Sequence, residues 1–274
     1  MSEPGESMIS RVVRVLEACK TAPGPLTATD LARRTGIPVP STHRIVGELV
    51  DLRLLARDAD RRVRIGDRLW EIAERARPDV QRVRAVTRPH LEQLSATVGA
   101  AALLSVLDGD DVLNVDTVHP RAAAALNITH PGVRLPALAS SPGLLLVAMG
   151  PPRVRQRILR SARLVRFTQH TVVDTESLGR ILDEAARRGH ATVSEWITVG
   201  SVGTAVPVHD DAGRVIAAVS VTTASAGPPV SALLPPLHAA ASAIGLSLST
   251  MTATADPRVE YLLRQVQYAT GTTD

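Results

Sequence analysis

A chain of 274 residues, 45% hydrophobic and 21% charged, carries enough apolar side chain to bury a core, and its length suits one small domain followed by a medium one. Aromatic residues make up only 2%, so that core has to be assembled from Ala, Val, Leu and Ile. A single cysteine, Cys19, excludes an intrachain disulfide framework and a cysteine zinc cluster, and the acidic, polar start MSEPGESM lacks the pattern of a secretory signal.

The net charge of +4 is unevenly placed: residues 1–77 hold 14 Lys+Arg against 11 Asp+Glu, and residues 78–274 hold 17 against 16. Most of the excess therefore lies in the first quarter, which favours an anionic partner there. Lys20 is the only lysine among the 31 basic residues, a bias that says more about codon usage than about function.

Along the chain, MISRVVRVLEACK (8–20) spaces Ile9, Val12, Val13, Leu16 and Cys19 as one face of an amphipathic helix. After TAPGP, a second helix capped by Thr27 or Thr29 runs through Arg34, and Gly36 is placed to leave it in a left-handed conformation. Pro38 blocks continuation, while Pro40 suits the first turn of a third helix that reaches about Leu52 with Ile45, Val46, Leu49 and Val50 inward. Residues 54–57 and 62–65 are strand-like around the turn Asp58–Asp60. Helix, helix, turn, helix and hairpin is the order of a winged helix-turn-helix. Two helices follow, 67–77 and 79–98, broken at Pro78.

Beyond Gly99, ALLSVLDGDDVLNVDTV reads as a hairpin turning at Asp-Gly-Asp-Asp, and AAAALNIT as a strand. SSPGLLLVAM, PPRVRQRILRSA and DTESLGRILDEAARRGHA predict helices, the last capped at Asp174 or Thr175 and closed by Gly189. GTAVPVHDDAGRVIAAVSVTT predicts a second hairpin, turning at Asp210–Gly213, and 230–252 a final helix whose prolines and His238 suit packing rather than a membrane span. Strands paired by hairpins and separated by helices imply an α+β domain on an antiparallel sheet.

Three stretches in this order and separation carry a family resemblance: SRVVRVLEACKTAPGPLTATDLARRTGIPVPSTHRIVGELVDLRLL, LPALASSPGLLLVAM and GSVGTAVPVHDDAGRVIAAVSVTT. Over roughly residues 8–250 the sequence resembles the isocitrate-lyase-regulator (IclR) family of bacterial transcription factors. The resemblance implies a winged helix-turn-helix DNA-binding domain (1–66), a helical linker (67–98), a GAF-like effector-binding domain (99–252) and a polar tail (253–274). It also implies assembly as a homodimer or homotetramer on double-stranded operator DNA, in the cytoplasm.

A recognition helix needs small or polar side chains at the end that enters the major groove. Here that end offers Ser41, Thr42, His43 and Arg44: the hydroxyls suit phosphates, His43 a base or a phosphate, and Arg44 a guanine, through a bidentate contact worth ~1–3 kcal/mol of discrimination. Arg57, Arg61, Arg62 and Arg64 lie around the wing and suit phosphates or the minor groove.

For the effector domain, family members that sense small oxo-acids supply a template. Its backbone donors fall on Ser141 and Pro142, its acidic side chain on Val193 with Glu195 nearby, its cysteine on Gly203, and its two serines on Ser220 and Thr222. Leu144 stands at the lysine position, and Ala124, Asn127 and Leu135 complete the wall. Proline has no N–H to donate, and the acid and the thiol are gone, so the resemblance implies a roomier, more apolar cavity. The expected effector is larger and less acidic than glyoxylate or pyruvate, an apolar or aromatic metabolite.

The competing class is an enzyme or small-molecule-binding protein whose winged helix makes only protein contacts. It requires a catalytic constellation within 99–250. HDDAG (209–213) is turn chemistry, SSPG (140–143) lacks the Gly-x-Ser-x-Gly elbow, no phosphate-binding glycine fingerprint occurs, and no His-x-x-x-His pair implies a metal. The sequence therefore reads as a regulator, not an enzyme, with no cofactor.

Overall fold

A computed structural model describes residues 6–20, 22, 24–76, 78–120, 129–161 and 164–253. Two compact units divide at Pro78.

In the first unit, α1 (Met8–Lys20), α2 (Ala28–Thr35) and α3 (Val39–Asp51) precede a short antiparallel pair, β1 (Leu55–Arg57) and β2 (Val63–Ile65), and then α4 (Asp67–Ala76). Thr27 starts α2 with a full capping box: its hydroxyl accepts the Asp30 N–H at 3.1 Å, and Asp30 accepts the Thr27 N–H at 3.2 Å. Gly36, at φ 69°, ends α2 in the left-handed region, and its N–H returns to Ala32. Leu26 exchanges both backbone hydrogen bonds with Val63, extending the wing by one bridge. Residue 66 has to be glycine, because a Cβ there would lie 2.2 Å from the Arg53 carbonyl oxygen.

The core of this unit is Val15, Leu26, Leu31, Ile37, Ile45, Val46, Leu49, Leu55 and Val63. The buried face of α1 is rotated from the expected one. Val15 is fully buried with Val12, Leu16 and Cys19 packed beside it, whereas Ile9 and Val13 face solvent. Burial raises the Cys19 thiol above its ordinary pKa, in keeping with a small packing residue.

The second unit is a six-stranded antiparallel sheet in the order β5-β4-β3-β8-β7-β6, with helices on both faces. Its strands are β3 (Ala101–Asp108), β4 (Asp111–Val118), β5 (Arg134–Pro136), β6 (Ala191–Ser194), β7 (Ser201–His209) and β8 (Val215–Ala224). The helices are α5 (Pro78–Val98), α6 (Ser141–Met149), α7 (Pro152–Ser161), α8 (Thr175–Arg188) and α9 (Val230–Ala253). This is the expected α+β, GAF-like architecture following a winged helix. The strands β5 and β6 were not anticipated, and the strand expected in AAAALNIT lies, except for Thr129, outside the described residues.

Alternation along each strand divides the two faces. Ala102 and Leu104 of β3 and Ala217, Val219 and Val221 of β8 join α5 and α9 in one core. Leu107 and Ala218 join α6, α7 and α8 in the other. The helix α9 is long and apolar enough to cross a membrane by composition, but Leu233, Leu237, Ala240, Ala241, Ile244 and Leu248 bury one side of it in the first of these cores. Gly245 allows that approach, since a Cβ there would sit 2.5 Å from the His209 carbonyl oxygen.

A bulge interrupts the β3–β4 ladder: Leu104 pairs with Asp116 but Ser105 pairs with Asn114. It turns Val115 into the α5/α9 core and leaves Asn114 on the opposite face. Asp116, fully buried, is held by Arg84 (3.2 Å) and Arg88 (3.1 Å) of α5 and accepts the Thr117 N–H.

Candidate functional sites: a basic reading head and a hydroxyl-lined cavity

In the first unit α3 opens without a side-chain cap, with Pro38 as its N-cap and Pro40 in the first turn. His43 and Arg44 are exposed and Ser41 is half-buried, all at that end. Thr42 requires a correction. It is fully buried, and its hydroxyl donates to the carbonyls of Ile37 (3.3 Å) and Pro38 (3.2 Å), so it closes the turn from inside and does not reach a phosphate. Helical spacing explains the error: Thr42 lies three and four residues before Ile45 and Val46, on the core stripe.

Arg57, Arg61, Arg62 and Arg64 are all exposed around the wing. Arg57 and Arg64 occupy successive rungs of the β1–β2 ladder, opposite Val63 and Ala56. Arg61 takes the tight turn at φ 60°, and the Asp58 carboxylate accepts the Arg62 N–H at 2.8 Å. Asp58 is thereby committed to the turn. Arg64 approaches Asp67 at 4.0 Å, whereas Arg44, Arg57, Arg61 and Arg62 have no carboxylate partner among the described residues.

In the second unit a cavity lies between the sheet and the start of α6. Seven of the nine expected effector residues line it: Leu135, Ser141, Pro142, Val193, Gly203, Ser220 and Thr222. Ala124 and Asn127 lie outside the described residues. Ser220 and Thr222 stand two apart on β8 and share the cavity face. No charged side chain is among the described lining residues.

The start of α6 has few donors left. Ser140 caps it by accepting the Gly143 N–H at 3.3 Å, and Pro142 has none to offer, which leaves the Ser141 N–H and hydroxyl. The room expected at Gly203 is largely filled, because a Cβ there would meet Ser141 Oγ at 2.9 Å. Glu195 does not replace the missing acid. Its carboxylate accepts from the Gly200 N–H and the Ser225 hydroxyl, both at 3.0 Å, and pairs with His170 at 3.2 Å.

Sequence reasoning missed the residues around Glu195. Trp196, Ile197 and Thr198 form one wall, and Trp196 is almost fully buried. The loop before α8 fastens this wall: the hydroxyls of Thr168 and Thr171 donate to the carbonyls of Glu195 and Trp196, both at 2.6 Å. Ser105 and Asn114 were also missed. They sit side by side on β3 and β4, and both line the cavity.

Comparison with known proteins agrees with both units. Residues 8–59 match the model of the IclR helix-turn-helix domain, and residues 78–246 match that of the bacterial transcriptional regulator IclR C-terminal domain. The probable transcriptional regulator SauR of Cupriavidus necator is 30% identical over 227 residues, covering 81% of this chain and 87% of that protein. The Pca regulon regulatory protein of Pseudomonas putida is 28% identical over 219 residues, 78% of this chain and 73% of that one. Among solved structures, an IclR homolog from Microbacterium hydrocarbonoxydans complexed with 4-hydroxybenzoate is 36% identical, with a TM-score of 0.75 over 89% of this chain and 100% of that chain.

Proposed function

The chain belongs to the IclR family of bacterial transcriptional regulators, with a helix-turn-helix DNA-binding domain and a C-terminal effector-binding domain, and from that premise we propose how each unit works. Ser41, His43 and Arg44 enter the major groove at the open end of α3, and Arg57, Arg61, Arg62 and Arg64 hold the flanking phosphates. Arg44 reads a guanine; the wing arginines supply affinity without sequence preference. A second copy presents the same surface to the other half-site, as a homodimer or homotetramer acting in the cytoplasm.

The effector is a ring-bearing metabolite, larger and less acidic than glyoxylate. The observation that carries this reading is the cavity wall, which has no charged side chain among its described residues and combines Trp196 and Ile197 with the hydroxyls of Ser141, Ser220 and Thr222. The 4-hydroxybenzoate bound to the Microbacterium homolog supports the same size class. A ligand that prefers one arrangement of the second unit shifts the population of operator-competent molecules by its difference in affinity. The chain acts as a regulator rather than as an enzyme.

Two measurements test this. Gel shifts with the DNA upstream of the protein's own gene should give a discrete complex that random DNA does not compete away. A thermal-shift screen should show stabilisation by benzoate-type ring acids and none by glyoxylate or pyruvate; strong stabilisation by glyoxylate alone would contradict the ring reading.

A further inference from the structure

A buried amide oxygen in the cavity lacks a partner among the described residues. Asn114 is 3% exposed, and its Nδ2 donates to Thr117 Oγ1 while its backbone is paired with Val133 and Gly132. Its Oδ1 has no hydrogen bond among the described residues. A buried amide oxygen without a donor is disfavoured, since it has left water and gained nothing in return. The side chain sits in the cavity wall, with Val112 before it on β4, Val133 and Leu135 on the neighbouring strand side and Ser105 across the ladder on β3.

Ser105 is the residue paired with Asn114 across the bulge. It is 1% exposed, lines the same cavity, and its hydroxyl has no partner among the described residues. The two side chains therefore bring an acceptor that lacks a donor next to a hydroxyl that can donate. One ligand group satisfies both at once: a hydroxyl, which donates its proton to Asn114 Oδ1 and accepts from Ser105.

We infer that Ser105 and Asn114 form a hydroxyl-recognising subsite, and that Asn114 sets effector specificity by requiring a hydrogen-bond donor on the ring. This rests on the ring-effector reading above and narrows it. Along the sheet, β4 is two strands from β8, about 10 Å. Ser105 lies on the intervening β3, so Asn114 is the end of the subsite farther from the Ser220 and Thr222 hydroxyls, which suits a ring bearing polar groups at two of its positions. Such a ligand places its acid or other acceptor group at the start of α6 and its hydroxyl against β4.

The test is calorimetric titration of the full-length protein with benzoate, the three monohydroxybenzoates and their methyl ethers. At least one hydroxybenzoate should bind about tenfold more tightly than benzoate, and its methyl ether, which cannot donate, should lose that gain. In Asn114→Leu the affinity ratio between the preferred hydroxybenzoate and benzoate should fall to about one. The wild-type series decides the matter even if this variant does not fold. Equal affinity for benzoate and every hydroxybenzoate would give Oδ1 to a resident water and overturn this inference while leaving the ring reading intact. A preference for a methyl ether would mean that the amide presents its NH2 and would overturn it as well. If no benzoate-type compound binds, the ring reading fails and the inference falls with it.

Discussion

The hydroxyl of Ser141 stands where a side chain on Gly203 would have to begin, 2.9 Å from the position of its Cβ. The two residues belong to α6 and β7, and both line the cavity. Gly203→Ala should displace Ser141 Oγ and weaken binding of a ring ligand by about threefold to tenfold, the scale of one hydrogen bond. Operator affinity without ligand should be unchanged. Calorimetry and a gel shift on the same preparation check both halves, and an unaltered ligand affinity would argue against a role for Ser141 in binding.

Arg44 and Arg62 should separate by the kind of loss they cause. Arg44→Ala is expected to weaken binding at one or two base positions by about 1–3 kcal/mol, seen as relaxed preference in a panel of operator variants. Arg62→Ala should weaken all sequences alike and reduce the slope of log affinity against log salt by about one. Unchanged affinity in both variants would remove α3 and the wing from the interface.

Ser41 and Thr42 are neighbours with opposite expected phenotypes. Thr42→Ala removes a buried methyl and hydroxyl, so it should lower the stability of the first unit by about 1–2 kcal/mol and leave the salt slope of DNA binding unchanged. Ser41→Ala should leave the melting curve unaffected and weaken operator binding. Thermal denaturation and fluorescence anisotropy, run in parallel, tell the two apart.

The capping box at α2 should be sensitive to acid. The Thr27 hydroxyl and N–H, then Arg33, hold the Asp30 carboxyl below its ordinary pKa. A depressed folded-state pKa means stability that is present above the unfolded value of about 4 and is lost as pH falls through the folded value. The difference in melting temperature between wild type and Asp30→Asn should therefore be largest near neutrality and shrink below about pH 4. A difference that stays constant from pH 7 to pH 3 would show that the charge of Asp30 does not contribute. Thr27→Ala should cost about 1 kcal/mol at neutral pH.

The fold was legible where local chemistry is unambiguous. Thr27, Gly36 and Pro38 set the limits of the helices before any packing is known, and the two large hairpins are marked by strand alternation around Gly109 and Gly213, both at positive φ. The short strands β5 and β6, of three and four residues, hold too few rungs for a period to emerge. On α1 two overlapping apolar stripes compete, and only the neighbouring helices decide that Val15 is inside and Ile9 outside. The cavity was half legible. Strand parity paired Ser220 with Thr222, but the position of Trp196 depends on a loop held by Thr168 and Thr171, over twenty residues away in sequence. Asn114 was hidden for another reason: an unsatisfied amide is a property of its surroundings, not of its residue type.

The bulge in β4 brings two faces of the sheet close together along the chain. Within three residues of backbone, Asn114 faces the cavity while Asp116 is gripped on the opposite side of the sheet by Arg84 and Arg88. Those arginines lie on α5, the helix with which this unit begins. Any contact made on Asn114 from the cavity therefore lies two residues from the buried ion pairs that fasten α5 to the sheet. A pocket and a helix on opposite faces of a sheet thus meet at one bulge.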